Sequence, residues 1–356
     1  MKSEMYFKET YEESRDAFLE LAKRSGGELS SYVVSGNSET GLSFETLYFP
    51  PASGKKEQLL ILTSGIHGIE GFTGSALQRY FIENNFLDLK NDNMGILIIH
   101  GINPHGFKNK RRVTENNVDL NRNFDTTPAL FKTENSGYLQ VKDFLNPKSR
   151  YSRLSFNLSA IKFILKFGME NLRKAILRGQ YQYPEGIFFG GQIFEPQVSL
   201  LQNEVMKRSE GYKKVLLVDL HTGYGQRGKL HLFGDRSPFI DQTFMDEVFQ
   251  GLLIDYGQEK DFYTVSGGFT VFMAKIFHQK TKFAGVVFEF GTINSQSALG
   301  SLDSLYRMVN ENQKDASEKD LDLFREMFYP RSPEWRKAVI EQFEMTMKSI
   351  GRHLSR

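Results

Sequence analysis

The chain has 356 residues, 40% of them hydrophobic, 25% charged and 13% aromatic, enough apolar material for a large buried core. Lys and Arg number 45 against 43 Asp and Glu, and the net charge of +2 gives no electrostatic ground for a nucleic-acid or anionic membrane partner, leaving small metabolites or peptides. There is no cysteine, which excludes disulfides, thiolate metal sites and a cysteine nucleophile; any metal must sit on His, Asp or Glu.

Residues 1–20, MKSEMYFKETYEESRDAFLE, carry acids where a secretory leader needs an apolar run, and no later segment is apolar enough to span a bilayer. A cytoplasmic protein is expected. Phe7, Tyr11, Phe18 and Leu21 recur at helical spacing, which predicts an amphipathic helix over 5–23 closed by Gly26 and Gly27. SYVVSG and LSFETLYF, joined by GNSETG, read as an antiparallel pair at a sheet edge. The short apolar runs LLILT, GILIIH, VLLVDL and GVVFEF alternate with helix-like segments such as GSALQRYFIENN and FMDEVFQGLLIDY, the pattern of a mostly parallel α/β sheet buried on both faces.

Between Phe124 and Tyr212 the pattern loosens. SRLSFNLSAIKFILKFGMENLRKAILRG has the composition of a basic membrane-surface helix, but its apolar positions suffice for a local core and no lipidation signal accompanies them, so a solvated helical face is expected. Helices follow from Leu302, broken near Pro330 and Pro333. Without repeats or a linker, the expectation is one domain over 1–356, with a helical insertion around 130–212 and C-terminal helices after 300.

Four strands end in polar residues: LLILTSG in His67 and Glu70, GILIIHG in INPHG, VLLVDL in His221 and GVVFEF in Glu289. In open α/β sheets ligands bind beyond the carboxyl ends of the strands, where such residues converge. His, Glu and His form an established set of three ligands for a catalytic zinc. Singly, each has an ordinary alternative: a hydrogen-bonded loop pair for His67 and Glu70, a core histidine for His221, an acid bonded to backbone amides for Glu289. GYGQRG, with Gly223, Gly225 and Gly228, also fits the G-x-G-x-x-G of NAD-dependent oxidoreductases, yet KLHLFGD after it alternates like a strand where that motif requires a helix. No G-x-S-x-G elbow, H-E-x-x-H helix or phosphate-binding loop is present. His100, His105, His231 and His278 read as structural or surface residues, with His105 nearest to a cleft.

In order along the chain, SGIHGIEGFTGSA, NPHGF, RRV, NVDLNRNF, GQYQYPEGIFFGG, VDLHTG and FEFGT resemble the zinc carboxypeptidase family, the carboxypeptidase A-like metallopeptidases, and more narrowly a bacterial branch catalogued as a domain of unknown function. The resemblance implies a three-layer α/β/α fold with a mostly parallel mixed central sheet, of the phosphorylase/hydrolase-like kind. It implies one zinc ion on His67, Glu70 and His221, although manganese or cobalt suits such ligands too. Asp119 matches the acid that orients the first histidine, Asn121 and Arg122 the pair that grips a terminal carboxylate, and Arg112 the oxyanion-stabilising arginine, with adjacent Arg111 one register away. Glu289 matches the general base. A catalytic tyrosine has no motif to mark it; Tyr224, Tyr256 and Tyr263 are all candidates.

The expected activity is hydrolysis of an amide next to a free carboxylate. The substrate is a peptide, with cell-wall peptides included, for a metallocarboxypeptidase, or an N-acyl amino acid for a deacylase built on the same site.

Overall fold

The computed structural model describes residues 3–34, 41–85, 91–257, 266–277 and 281–354. Eight strands form one mixed sheet: β1 Glu28–Val33, β2 Ser43–Phe49, β3 Gln58–Ser64, β4 Met94–His100, β5 Lys214–Gly223, β6 Leu230–Gly234, β7 Ile254–Asp255 and β8 Lys282–Gly291. Their order is β1-β2-β4-β3-β5-β8-β6-β7. The central strands β4, β3, β5 and β8 run parallel, and β1, β2 and β6 pair antiparallel at the flanks. Residues 59–62 of β3 and 96–99 of β4 are wholly buried, as the continuous apolar runs required.

Helices cover both faces of the sheet. On β2, Glu45 meets Arg15 of α1 (Tyr11–Arg24), whereas the next residue, Thr46, turns to the opposite face and bonds Glu204 of α7 (Pro196–Ser209). The face of α1 also carries α2 (Gly71–Tyr80), whose Gln78 bonds Ser64 at the end of β3. The helix expected over 5–23 begins only at Tyr11, because Thr10 and Glu13 form a capping box; Glu4–Tyr6 is a separate 3-10 turn. Phe7 still reaches the core and stacks on Tyr329. Of the GNSETG turn, residues 36–40 lie outside the described residues, as do Tyr263 and His278.

α3 (Pro104–Lys108) follows β4, and three helices, α4 (Ser136–Leu145), α5 (Arg153–Phe167) and α6 (Met169–Leu177), precede α7. They enclose a second core, where Tyr138, Phe144, Phe156, Leu172 and Ile176 pack with Leu305, Tyr306 and Val309 of α10 (Ala298–Glu311). That core meets the sequence expectation on one side of α5 only; the other side holds four large apolar residues out in solvent. Short helices α8 (Gln242–Val248) and α9 (Phe269–Phe277) flank β8, and α11 (Glu318–Phe328) and α12 (Pro333–Leu354) close the chain, broken at the two expected prolines. β6 begins at Leu230, two residues after Gly228, so the glycine pattern at 223–228 joins two strands and the dinucleotide-binding alternative fails for want of its helix. Among the described residues no helix is long and apolar enough to cross a membrane.

Candidate metal centre and active site

The turn after β3 is shaped by close backbone approach. A Cβ on Gly68 would lie 2.1 Å from the carbonyl carbon of Gly106, so only glycine lets the turn nest against α3. The N–H groups of Gly68 and Ile69 donate to the carbonyls of Arg112 and Arg111, which ties the 104–112 segment to the turn. His67 leaves the strand in an extended conformation and Glu70 ends a 3-10 turn at the start of α2. His221 arrives from β5, and its register partner on β8 is Glu289.

The donor atoms of His67, Glu70 and His221 lie within 4.8 Å of one another, and all three residues are buried. Glu70 Oε1 is 2.8 Å from His67 Nδ1, and Glu70 Oε2 is 2.9 Å from His221 Nδ1. The outer nitrogens face carboxylates too: His67 Nε2 is 3.2 Å from Asp119 Oδ1 and His221 Nε2 is 2.7 Å from Asp219 Oδ2. Each ring therefore sits between two acceptors. A neutral imidazole has one donor and one acceptor nitrogen, so the arrangement requires either a doubly protonated ring or a cation among the Nδ1 and Oε atoms. A divalent ion fits the second case: the Nε2–H bonds to Asp119 and Asp219 fix each tautomer, leaving both Nδ1 lone pairs on the side of Glu70 for a shared cation.

Without a metal the same contacts couple the charges of the cluster. Burial opposes ionisation of Glu70, but His67 and His221 outweigh it and hold its carboxyl well below the ordinary value. Burial likewise opposes Asp119, and the Arg112 guanidinium with His67 keeps it ionised. His221 is pushed well above its ordinary value, burial being overcome by Asp219 and Glu70. Glu289, half-buried beside His221 on the neighbouring strand, goes the other way: desolvation, with the Glu70 charge, pushes it up to about 8.

Among the remaining predicted residues, Arg112 is at the centre, with Nε 3.2 Å from Asp119 Oδ2 and Nη1 3.4 Å from Glu70 Oε1. Arg111 turns away to pair with Glu311 on α10, which separates the two adjacent arginines. Asn121 uses its side-chain carbonyl to accept from Phe269 N–H at the start of α9. Arg122 is buried, donating from Nη1 to the Asn121 carbonyl and from Nη2 to the Leu177 carbonyl, while its Nε has no protein partner. Tyr224 donates its backbone N–H to Glu289 Oε1 at 2.8 Å, and its hydroxyl accepts from Arg173 of α6. Tyr256 lies by Arg236 and Gly234 at the β6–β7 edge.

Asp219 was not among the residues expected here. Its signal was the spacing D-x-H on a strand, which puts both side chains on one face, and Thr63 of β3 holds its other oxygen at 2.6 Å. The Thr222 N–H on Glu70 Oε2, at 3.0 Å, is a backbone contact that no residue-type motif reveals.

Residues 7–342 match the family described as Protein of unknown function (DUF2817). The chain belongs to that family. No curated protein matches the sequence. Among solved structures, bovine thrombin-activatable fibrinolysis inhibitor, in complex with tick carboxypeptidase inhibitor, is 12% identical with a TM-score of 0.51 over 98% of each chain. Carboxypeptidase A from Helicoverpa armigera is 17% identical with a TM-score of 0.49, covering 98% of this chain and 73% of its own. Murein-tripeptide amidase MpaA from Escherichia coli O157 is 16% identical, with a TM-score of 0.38 over 82% and 95% of the two chains. The DUF2817 chain thus has the carboxypeptidase-like α/β/α fold with a mixed central sheet.

Proposed function

We propose that this chain is a zinc-dependent hydrolase that cleaves an amide next to a free carboxylate, acting as a metallocarboxypeptidase on peptides, cell-wall peptides among them, in the cytoplasm. The observation that carries the proposal is the double clamp: two imidazoles and one carboxylate converge with their outer nitrogens already bonded to Asp119 and Asp219, facing a raised Glu289. A zinc ion on His67, Glu70 and His221 would acidify water and polarise a carbonyl.

Glu289 would act as general base. The Tyr224 N–H engages Oε1, leaving Oε2 to take the proton of the attacking water and later return it to the leaving nitrogen. Arg112, fixed through Nε by Asp119 and with Nη1 beside Glu70, would offer Nη2 to the oxyanion that develops as the carbonyl is attacked. Arg122, with its partnerless Nε, and Asn121 are assigned to the substrate carboxylate, for which a guanidinium is the suited donor. One domain with the 130–212 helices as an insertion is part of the same proposal.

The test is mass-spectrometric detection of cleavage by zinc-loaded protein on peptides, cell-wall peptides and N-acyl amino acids, with Glu289→Gln as control. Loss of single C-terminal residues by the parent only is the expected result. Release of an acyl group would reassign the site to a deacylase, whose substrates also carry a free carboxylate. A zinc-replete parent that binds no metal would overturn the proposal.

A further inference from the structure

The net charge of the chain conceals an uneven distribution. Residues 148–178 hold eight Lys or Arg against one Asp or Glu, an excess of +7 within a total of +2. α5 lies inside this segment, with Arg153, Lys162 and Lys166 and no acidic residue.

The helix is apolar on two opposite faces. Inward, Phe156 and Ala160 are buried in the second core and Phe163, Ile164 and Phe167 pack against it. Outward, Leu154 is 70% exposed, Leu158 61%, Ile161 54% and Leu165 83%. Their spacing of four, three and four residues lines them into one stripe along the helix. Scattered exposed leucines are ordinary, but four in a row on one helix form a patch that demands an occupant.

Charge decides which occupant. Arg153 is bonded to Asp303 at 2.6 Å and Arg150 lies 3.5 Å from Asp320, so protein carboxylates are spent at the N-terminal end of the helix. Among the described residues Lys162 and Lys166, which flank Ile161 and Leu165, form no ion pair with a carboxylate. A second copy docked on this stripe would bring like charges together with no acid on α5 to offset them. An anionic surface matches both the lysines and the apolar row.

We propose that α5 is a docking face for the anionic surface of a lipid bilayer. The helix lies along the interface, with Leu154, Leu158, Ile161 and Leu165 at the acyl boundary and Lys162 and Lys166 among the headgroups. Its 15 residues are too few to span a bilayer, so the association is peripheral. This departs from the expectation drawn from total charge, because the segment and the whole chain differ in sign balance.

The test is co-sedimentation of the full zinc-loaded chain with vesicles of phosphatidylglycerol and phosphatidylcholine, and with vesicles of phosphatidylcholine alone. Binding to the anionic vesicles is expected, weakened at least about tenfold by high salt and by L158S/L165S. K162Q/K166Q, which leaves the apolar stripe in place, is expected to lose the preference for anionic lipid. Thermal melts of both variants should match the parent, since the altered side chains face outward. No partition into anionic vesicles, or equal partition by L158S/L165S, would overturn the proposal. So would a dimer in sedimentation velocity that L158S/L165S dissociates, which would give the face to a second copy.

Discussion

Two histidine–glutamate pairs lie across neighbouring strands of this sheet, His100 with Glu45 on β4 and β2, and His221 with Glu289 on β5 and β8. His100 has Ser75 Oγ at 2.9 Å on one nitrogen and Glu45 at 3.5 Å from the other, with Phe18 stacked on the ring. A hydroxyl donates or accepts as needed, and the one carboxylate near the ring stands too far from Nδ1 for a hydrogen bond, so a neutral His100 meets no second acceptor; burial lowers its pKa accordingly. Glu45 in turn has Arg15 at 2.7 Å and Ser43 at 2.6 Å. The centre around His221 has no such balance, because Glu70 and Asp219 press acceptors on both ring nitrogens. Residue type and strand placement are alike in the two regions, and the supply of partners separates a structural pair from a candidate metal centre.

The comparison breaks most severely at Glu289. Glu289→Gln should lower kcat by about 10²–10⁴-fold while zinc stoichiometry stays that of the parent, as steady-state kinetics and metal analysis would report. Next, Arg112→Ala should cost about 10²–10³-fold in kcat. Arg111→Ala, which breaks only the pairing with Glu311, should leave kcat close to the parent value in the same assay. Asp219→Asn should weaken zinc affinity by about 10–100-fold, measured by competition with a chelator, because the His221 tautomer loses its support.

A pH series sharpens the contrast further. In metal-free protein His221 and Glu289 both have raised folded-state values, the latter about 8, so the folded chain holds more protons than the unfolded one. Their stabilisation is present below the ordinary values and is lost as pH rises through the raised ones. Glu70 and Asp119 are shifted down and lose their contribution only in acid. The Tm of metal-free protein should therefore fall from about pH 6 to about pH 9, and zinc should flatten the curve by taking the place of the protons. A metal-free Tm that rises over that span would count against the clamp.

Much of the candidate site was legible because its residues sit at the ends of apolar runs, where the strand pattern gives depth and a parallel sheet gives convergence. The order His67, Glu70, His221, Glu289 needed no coordinates. Asp219 did: inside VDLH it reads as one more motif letter until Thr63 on β3 and the facing His221 ring show what its two oxygens do. Arg111 and Arg112 are indistinguishable in sequence, since the residue that draws Arg111 away from Glu70 and Asp119 is Glu311, on α10. The start of α1 was readable in the T-x-x-E at Thr10 and Glu13, which the apolar spacing overran. α5 fails for a different reason: apolar residues on two faces satisfy helical periodicity either way, and only packing decides which face is buried.

The central claim is tested most directly by equilibrium dialysis against zinc of the parent, His221→Ala and His100→Ala, with thermal melts alongside. The predicted result is one ion per chain in the parent and in His100→Ala, which should lose about 1–3 kcal/mol of stability, and none held by His221→Ala. A parent that takes up no zinc, or a His221→Ala variant that takes up as much as the parent, would contradict it.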